Sequence, residues 1–369
     1  MARVGGFEAE AVGMKAAILV RQNAPLELCE VEIPPLGVGQ VLVKVAYAGL
    51  CGKQLDEISG RQGDDPHLPH LLGHEGSGIV EAVGPGVRKV RPGDHAVLHW
   101  MKGSGIQSEP PRFHEPLVPP DGGSPRDISA GWVTTFSEYA IASENRVTKM
   151  PADAPLDVLA LLGCAVTTGL GIVFRQARLM PGQSIAVFGC GGIGLSVIMA
   201  AKLVNAYPIV AFDKSERKLE LACELGATHA LRSHADARGF DVAVDAAGVP
   251  EIREWAYSAT AEDGMAVLAG VPHRDDQMTI DSFPLHFGRR LVGSHGGDTV
   301  PDVDIPRYYE LYRRGVLPLH LLITDRVPLN FINNAVESMR RGEILGRCLI
   351  EMGANHENPK LSRRVPRQQ

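Results

Sequence analysis

The sequence predicts a two-domain α/β protein in which a β-rich domain precedes a parallel sheet with helices on both faces. Short β-branched runs separated by Pro- and Gly-containing turns occupy the first third of the chain, and after residue 157 short apolar strands alternate with helical segments. The length agrees with this, because 369 residues at about 150 per domain give two domains. An apolar fraction of 44% is enough for a sizeable core.

Six short runs predict the strands of the first domain, at 15–20, 26–31, 40–47, 78–83, 94–98 and 136–140. Residues 101–131 are rich in Pro, Gly and Ser and lack periodicity, so we expect a long loop there. Residues 1–13 have no periodic pattern and are expected to form an extra N-terminal arm. The basic tail within 353–369 is expected to be flexible.

Strands and helices alternate in the second half of the chain. Strands are predicted at 185–188, 208–212, 229–232, 241–245, 265–269 and 290–293, and helices at 156–162, 169–177, 193–204, 217–225 and 251–259. The strands are apolar throughout, as expected when helices cover both faces of a parallel sheet. Residues 301–352 return to helix and strand, and we expect them to pack against the first domain.

Charge and cysteine usage exclude several classes of protein. A net charge of −6 offers no general attraction to nucleic acid or anionic lipid. The sequence has neither a signal-peptide pattern at its start nor eighteen uninterrupted apolar residues, so we expect a soluble cytoplasmic protein. Six cysteines are too sparse for a disulfide framework and are expected to be thiols or metal-bound thiolates.

A glycine-rich turn follows the first strand of the predicted parallel sheet. The segment 189–194 reads Gly-Cys-Gly-Gly-Ile-Gly and opens a helix, the context in which this motif indicates a dinucleotide site. Gly189 permits the tight turn, Gly191 lets the backbone approach a pyrophosphate, and Gly194 permits close packing of helix on strand. Gly192 and Ile193 begin the helix, whose free N–H groups face the phosphates.

An acidic residue ends the next strand. Asp213 is placed to bind the adenosine ribose hydroxyls and to repel a 2′-phosphate, which favours NAD over NADP. Lys218 and neighbouring basic residues soften that preference.

Three dispersed residues form a candidate metal site. Cys51, His74 and Cys164 offer two thiolates and one imidazole, and three protein ligands with an open fourth position are typical of catalytic zinc. Spacing alone leaves another interpretation open, because a buried cysteine is usually a small apolar side chain.

Several motifs resemble the zinc-containing alcohol dehydrogenases of the medium-chain dehydrogenase/reductase superfamily. They are GLCG at 49–52, GHEGSG at 73–78 followed by Gly84 and Val87, and GC at 163–164 followed by TTG at 167–169. The resemblance extends from Met14 to about Glu351.

The resemblance implies a GroES-like catalytic domain and a Rossmann NAD-binding domain. The catalytic domain is expected to comprise 1–165 with 297–369, and the Rossmann domain 166–296. It implies that Cys51, His74 and Cys164 hold one catalytic zinc ion. We expect a homodimer or homotetramer, and the residues do not decide between them.

Four further residues receive roles from the resemblance. Glu75 corresponds to an acid beside the metal, Val271 to a backbone contact of the nicotinamide carboxamide, and Arg347 to a residue that reaches the pyrophosphate. Trp100 corresponds to a wall of the substrate pocket, although core packing would equally explain its bulk.

The region that often holds a structural zinc ion in the family contains no cysteine between 99 and 117. We therefore expect no structural zinc, and His99 with His114 does not make a closed tetrahedral site.

Three residues depart from the family pattern after the first cysteine. Lys53 stands where Ser or Thr usually contacts the substrate oxygen, Gln54 where an Asp usually supports the histidine ligand, and Asp56 where a His often ends the proton relay. Lys53 could accept the proton, because burial and a neighbouring cation disfavour a charged amine, or bind an acidic substituent, or extend to solvent. Gln54 can still hydrogen-bond His74 but carries no charge. Asp56 could end the relay or pair with Lys53.

These observations predict a zinc-dependent alcohol dehydrogenase or carbonyl reductase that exchanges hydride between NAD and an alcohol, aldehyde or ketone. The polar Lys102-Gly103-Ser104 segment favours a substituted or polyhydroxylated substrate. Two alternatives stay open: a zinc-free quinone or enoyl reductase, and a non-catalytic nucleotide-binding protein of the same fold.

Overall fold

A computed structural model describes residues 13–116 and 124–353. The predicted N-terminal arm and C-terminal tail lie outside these residues, apart from Gly13 and Gly353.

The structure contains eighteen strands and eight α-helices in the described ranges. The strands are β1 Gly13–Leu19, β2 Glu27–Glu32, β3 Gln40–Leu50, β4 His70–Leu71, β5 Gly76–Val83, β6 His95–Leu98, β7 Arg112–His114, β8 Asp127–Ser129, β9 Tyr139–Ser143, β10 Val147–Met150, β11 Ile185–Phe188, β12 Ile209–Phe212, β13 His229–Leu231, β14 Phe240–Asp245, β15 Thr260–Leu268, β16 Arg290–Gly293, β17 Ile323–Pro328 and β18 Arg347–Glu351. The helices are α1 Gly52–Ile58, α2 Leu156–Ala160, α3 Ala165–Gly171, α4 Gly192–Leu203, α5 Glu216–Leu225, α6 Pro250–Ser258, α7 Pro301–Arg313 and α8 Ile332–Arg340.

Two sheets build the β-rich half. β1, β2, β7, β8 and β4 close into a small barrel, and a second sheet has the order β10-β6-β5-β3-β18-β17, with β9 also paired to β3. β18 pairs antiparallel with β3 from Leu50 to Tyr47, so residues 347–351 form part of the sheet that leads to Cys51.

The other sheet is parallel and has the order β13-β12-β11-β14-β15-β16. Every residue of β11 and β12 is buried, because helices cover both faces. The carboxyl end of β11 lies between β12 and β14 and opens directly into the glycine turn. This is the edge at which doubly wound sheets bind their ligands.

A glycine brings helices α3 and α4 close together. A Cβ atom at Gly169 in α3 would lie 2.5 Å from Cβ of Ser196 in α4, so only glycine permits this approach of the two helices. α3 begins directly after Cys164, and α4 begins in the glycine turn. The helix contact therefore sets the distance between the metal candidate and the cofactor candidate.

Two local expectations were wrong, and one helix was missed. The stretch 101–131 is not one irregular loop, since it contains β7 and β8, which are three residues each and too short to show periodicity. The strand expected at 136–140 lies at Tyr139–Ser143 instead, because its partner β3 pairs with those residues. The helix α1 was not predicted, and it carries all three departures from the family pattern.

Within the described ranges, no single helix has the length and apolar character needed to cross a membrane. One bent pair, Leu156–Gly163 with Ala165–Ala177, meets that requirement by length and composition only.

Candidate metal and cofactor site

Three chain segments deliver the predicted metal ligands to one point. Cys51 follows β3 as the N-cap of α1, His74 follows Gly73 just before β5, and Cys164 precedes α3. Gly73 adopts φ +89°, a conformation that favours glycine, and so turns the chain to direct His74 inward. The ligand atoms of the three residues all lie within 4.8 Å of one another.

This donor set fits a zinc ion. Two sulfurs and an imidazole nitrogen match the preference of zinc, and Zn–S and Zn–N bonds of about 2.3 and 2.0 Å place tetrahedral ligand atoms closer together than the 4.8 Å observed limit. Among the residues that the structure describes, no other group of three His, Cys, Asp or Glu side chains meets the same condition.

The two thiols interact directly. A hydrogen bond from Cys164 to the Cys51 sulfur lowers the pKa of Cys51 well below its ordinary value, with a further contribution from His74. The same hydrogen bond and burial raise the pKa of Cys164. One thiolate therefore forms readily, whereas the second proton is retained until a cation replaces it.

Glu75 and Arg347 form a buried ion pair beside the thiols. Nη2 of Arg347 contacts Oε1 of Glu75, and the two side chains are 4% and 0% exposed. Gly49 and Gly163 leave the room for this carboxylate, because a Cβ at either position would approach the Glu75 side chain to 2.6 or 2.7 Å.

The opposite side of Arg347 contacts the glycine turn. A Cβ at Gly192 would lie 2.6 Å from Cδ and 3.1 Å from Nη1 of Arg347. Nε of Arg347 is buried and has no hydrogen-bond partner among the described residues. One guanidinium therefore joins the acid beside the metal candidate to the N-terminus of α4.

The glycine turn has the geometry that a dinucleotide needs. Gly189 adopts φ +100°, and a Cβ at Gly194 would collide with the carbonyl oxygen of Gly189. Gly191 has open space where its side chain would be. Ile193 lies in the first turn of α4, behind these glycines.

Asp213 stands at the edge of the turn. Its Oδ2 accepts the N–H of Cys190 at 2.8 Å, and Oδ1 accepts the N–H of Ser215 at 2.9 Å. Burial raises the pKa of Cys190 to about 12, with Asp213 raising and Lys218 lowering it, so both charges act at the turn. The Cys190 side chain is therefore a neutral thiol that fills space within the glycine turn.

Val271 follows β15 on the same side of the sheet. Its side chain is 53% exposed, and its carbonyl oxygen packs against Gly248, where a Cβ would lie 2.6 Å away. The backbone of Val271 is thus fixed at the carboxyl edge of the sheet.

Lys53 and Asp56 have different partners from those expected. Lys53 hydrogen-bonds Gln62 and lies 3.9 Å from Glu57, with its side chain 33% exposed. Asp56 pairs with Arg61 at 3.6 Å, so the expected Lys53–Asp56 pair is replaced by these two contacts. Burial raises the pKa of Asp56, partly offset by Arg61, Lys53 and His273.

Trp100 lies at the metal candidate. Its indole Nε1 is buried and has no hydrogen-bond partner within the described ranges, and the side chain lies close enough to Cys164 to act on the pKa of that thiol, which is raised overall. The ring packs edge-on against His295 at 4.9 Å between centroids.

A hydrogen-bonded cluster supports the segment before and after Trp100. His99 bonds the carbonyl of Met101 at 2.7 Å and Oγ1 of Thr148 at 3.0 Å, and burial lowers its pKa to about 3. Oγ1 of Thr148 also lies 3.1 Å from Oδ1 of Asp302, which pairs with Lys89 at 2.5 Å. His114 pairs separately with Asp127. His99 is thus a neutral residue that holds the segment in place.

Sequence reasoning missed the partners of α1. Glu57 lies in the short helix α1, and Arg61 and Gln62 lie in the turn that follows it. The polar pattern of this segment resembles a surface turn, so nothing in the sequence assigned these residues to Lys53 or Asp56. The apolar residues Leu55 and Ile58, three apart, were the available signal.

Two family models match the chain. Residues 37–152 match the alcohol dehydrogenase GroES-like domain, and residues 192–313 match the zinc-binding dehydrogenase domain.

Curated relatives match over nearly their whole length. Alcohol dehydrogenase 1 of Pisum sativum is 32% identical over 371 residues, covering 92% of this chain and 97% of the relative. S-(hydroxymethyl)glutathione dehydrogenase of Escherichia coli is 32% identical over 362 residues, covering 89% and 97%.

Solved structures share the fold. An alcohol dehydrogenase zinc-binding domain protein from Burkholderia ambifaria superposes with a TM-score of 0.83 at 30% identity, covering 94% of this chain and 100% of that one. Benzyl alcohol dehydrogenase from Acinetobacter calcoaceticus gives 0.82 at 28% identity, covering 93% and 100%.

Proposed function

The chain belongs to the zinc-containing alcohol dehydrogenase family of the medium-chain dehydrogenase/reductase superfamily, and from this premise we propose how its own residues carry out the reaction. It is an oxidoreductase that acts on CH–OH groups. We infer that it uses one zinc ion, held by Cys51, His74 and Cys164, and NAD. The observation that carries this proposal is the convergence of these ligand atoms within 4.8 Å, joined through Glu75 and Arg347 to the glycine turn.

The metal supplies Lewis-acid polarisation of the substrate oxygen, which assists hydride removal in one direction and carbonyl reduction in the other. With three protein ligands, a fourth position on the metal would be left for the substrate oxygen. Trp100 stands on one side of this position, beside Cys164. Its bulk narrows the space for the substrate.

In the proposed cofactor site, each group contacts a different part of the dinucleotide. The N-terminus of α4 and the unpartnered Nε of Arg347 attract the pyrophosphate. Asp213 accepts hydrogen bonds from the adenosine ribose hydroxyls and repels a 2′-phosphate, with Lys218 moderating this repulsion. The Val271 backbone orients the nicotinamide carboxamide at the carboxyl edge of the sheet.

The proton route is proposed to run along α1. Asp56 is half-buried with a raised pKa, which brings a carboxylate nearer to the range useful for a proton acceptor. Lys53, one-third exposed and bonded to Gln62, is better placed to contact a polar substituent of the substrate. This arrangement favours a substituted or polyhydroxylated alcohol. The cytoplasmic location stays a prediction.

We propose further that the protein forms a homodimer through β16. β16 is an edge strand of the parallel sheet, and an edge strand presents unpaired backbone groups to another chain. Phe283 and Phe287, in the short helical turn just before it, are 67% and 65% exposed. Two apolar rings next to an open edge favour an isologous contact.

The zinc-dependent activity predicts a clear effect of Cys164→Ser. We expect the wild-type protein to retain about one zinc ion per chain and to form NADH with members of a panel of alcohols, polyols and sugars. Cys164→Ser should lose the zinc and about 100-fold or more of the activity, whereas Cys223→Ser, at an exposed thiol, should retain both. NADH absorbance and metal analysis provide the readouts. Full activity in Cys164→Ser, or activity of the wild type toward quinones or enoyl compounds alone, contradicts the proposal.

The role of Asp213 predicts the coenzyme preference. Asp213→Asn removes the charge that repels a 2′-phosphate, so the ratio of kcat/KM for NAD to that for NADP should fall about tenfold or more. Glu216→Gln, at an exposed acid at the start of α5, is the matched control and should leave the ratio unchanged. A wild-type preference for NADP, or an unchanged ratio in Asp213→Asn, would show that Asp213 does not select the coenzyme.

The proposed dimer predicts that charge at the exposed rings separates the subunits. A double variant, Phe283→Glu with Phe287→Glu, places like charges face to face across a two-fold contact and should be monomeric by light scattering. Val38→Glu changes an equally exposed apolar residue, 62% exposed, away from β16 and should stay dimeric. A monomeric wild type, or an intact dimer in the double variant, would rule this interface out.

A further inference from the structure

Gln54 occupies the position behind the imidazole of His74. It is the third residue of α1 and is 1% exposed. Its Nε2 lies 2.6 Å from Nδ1 of His74, and its Oε1 accepts the backbone N–H of Cys51 at 3.2 Å. One carboxamide therefore contacts two of the three proposed metal ligands.

The carboxamide has only one acceptor atom for these two neighbours. Its oxygen can accept hydrogen bonds, whereas its NH₂ group can only donate. In the structure the oxygen faces the Cys51 N–H, so the NH₂ group faces His74, and Nδ1 of the imidazole accepts. A neutral imidazole that accepts at Nδ1 carries its proton on Nε2.

Metal binding requires the other tautomer. Nδ1 is engaged by Gln54, so Nε2 is the ring nitrogen left available as a metal ligand. A ring that binds through Nε2 has its proton on Nδ1 and needs an acceptor beside it. The ring carries one proton in both arrangements, and only the position of that proton changes.

The carboxamide can supply that acceptor only by turning over. Its oxygen then faces His74, and its NH₂ group faces the backbone N–H of Cys51, where two donors meet. The bond that caps the first turn of α1 is lost. A carboxylate would avoid this conflict, because each of its oxygens can accept one of the two N–H groups.

We propose that Gln54 is a positioning residue that couples ligation by His74 to the N-terminus of α1 and thereby weakens the hold on the metal. Each metal-binding event reorients the carboxamide and costs the Cys51 cap. A neutral hydrogen-bond partner also makes the His74 imidazole a weaker ligand for the metal than a carboxylate partner would. The inference rests on the proposed zinc site and concerns how tightly that site binds the metal.

The test compares Gln54→Asp with Gln54→Asn, which have the same length and differ in charge and in acceptor number. Zinc affinity of the full-length protein is measured by competition with a chromogenic chelator. We expect Gln54→Asp to bind zinc about 10- to 100-fold more tightly than the wild type, and Gln54→Asn to bind no more tightly than the wild type. NADH affinity, measured on the same samples by fluorescence, should be equal in all three and shows that the fold is retained.

A second readout reports the imidazole itself. Nitrogen-15 NMR of labelled His74 should show the proton moving from Nε2 to Nδ1 when zinc is added to the wild type, with the Gln54 NH₂ signals shifting at the same time. Equal zinc affinity in Gln54→Asp and wild type, equal gains in both variants, or a His74 tautomer unchanged by zinc would overturn the inference. Zinc binding in Gln54→Asp but not in the wild type would support it, and no zinc in any variant would overturn the zinc site as well.

Discussion

The buried ion pair between Glu75 and Arg347 is the interaction on which the rest of the site depends. Removing two charged side chains from water costs free energy unless they pair with each other. Here the side chains of Glu75 and Arg347 are 0% and 4% exposed. The carboxylate fits only because Gly49 and Gly163 have no side chains. Those glycines adjoin the segments of Cys51 and Cys164, so the space for the pair and the placement of the thiols come from the same backbone.

The pair also connects strand β18 to the segments that carry the candidate metal ligands. Arg347 opens β18, which pairs with the part of β3 that leads to Cys51. Its guanidinium reaches from Glu75 to Gly192 at the start of α4. The candidate metal ligands and the glycine turn are therefore connected through Glu75 and Arg347, so β18 contributes to both candidate sites.

The sequence predicted the parts of this site whose signal is local. The glycine turn after an apolar strand and the acid after the next strand depend on short-range pattern. The structure shows Gly189 with a positive φ and Gly194 too close to the carbonyl oxygen of Gly189 to hold a side chain. The cluster of Cys51, His74 and Cys164 needed the family resemblance, because no pattern of spacing links residues so far apart.

Other features depend on three-dimensional packing and had no signal in the sequence. The ion pair joins residues 75 and 347, which are far apart in the sequence. The orientation of the Gln54 carboxamide is set by its contacts with Cys51 and His74, which form only in the folded protein. The partners of Lys53 were missed because α1 was not expected. Strands β7 and β8 were missed because three residues cannot show a period.

A double-mutant cycle on Glu75 and Arg347 tests the central claim most directly. Zinc content and NADH affinity are measured in Glu75→Gln, Arg347→Met and the double variant. Because one buried charge is left unpaired in each single variant, we expect both to lose zinc and NADH affinity together, and the double variant to lose less than the sum by about 2 kcal/mol or more. If Arg347→Met affected only NADH, Glu75→Gln only zinc, and the losses were additive, the pair would not connect the two sites.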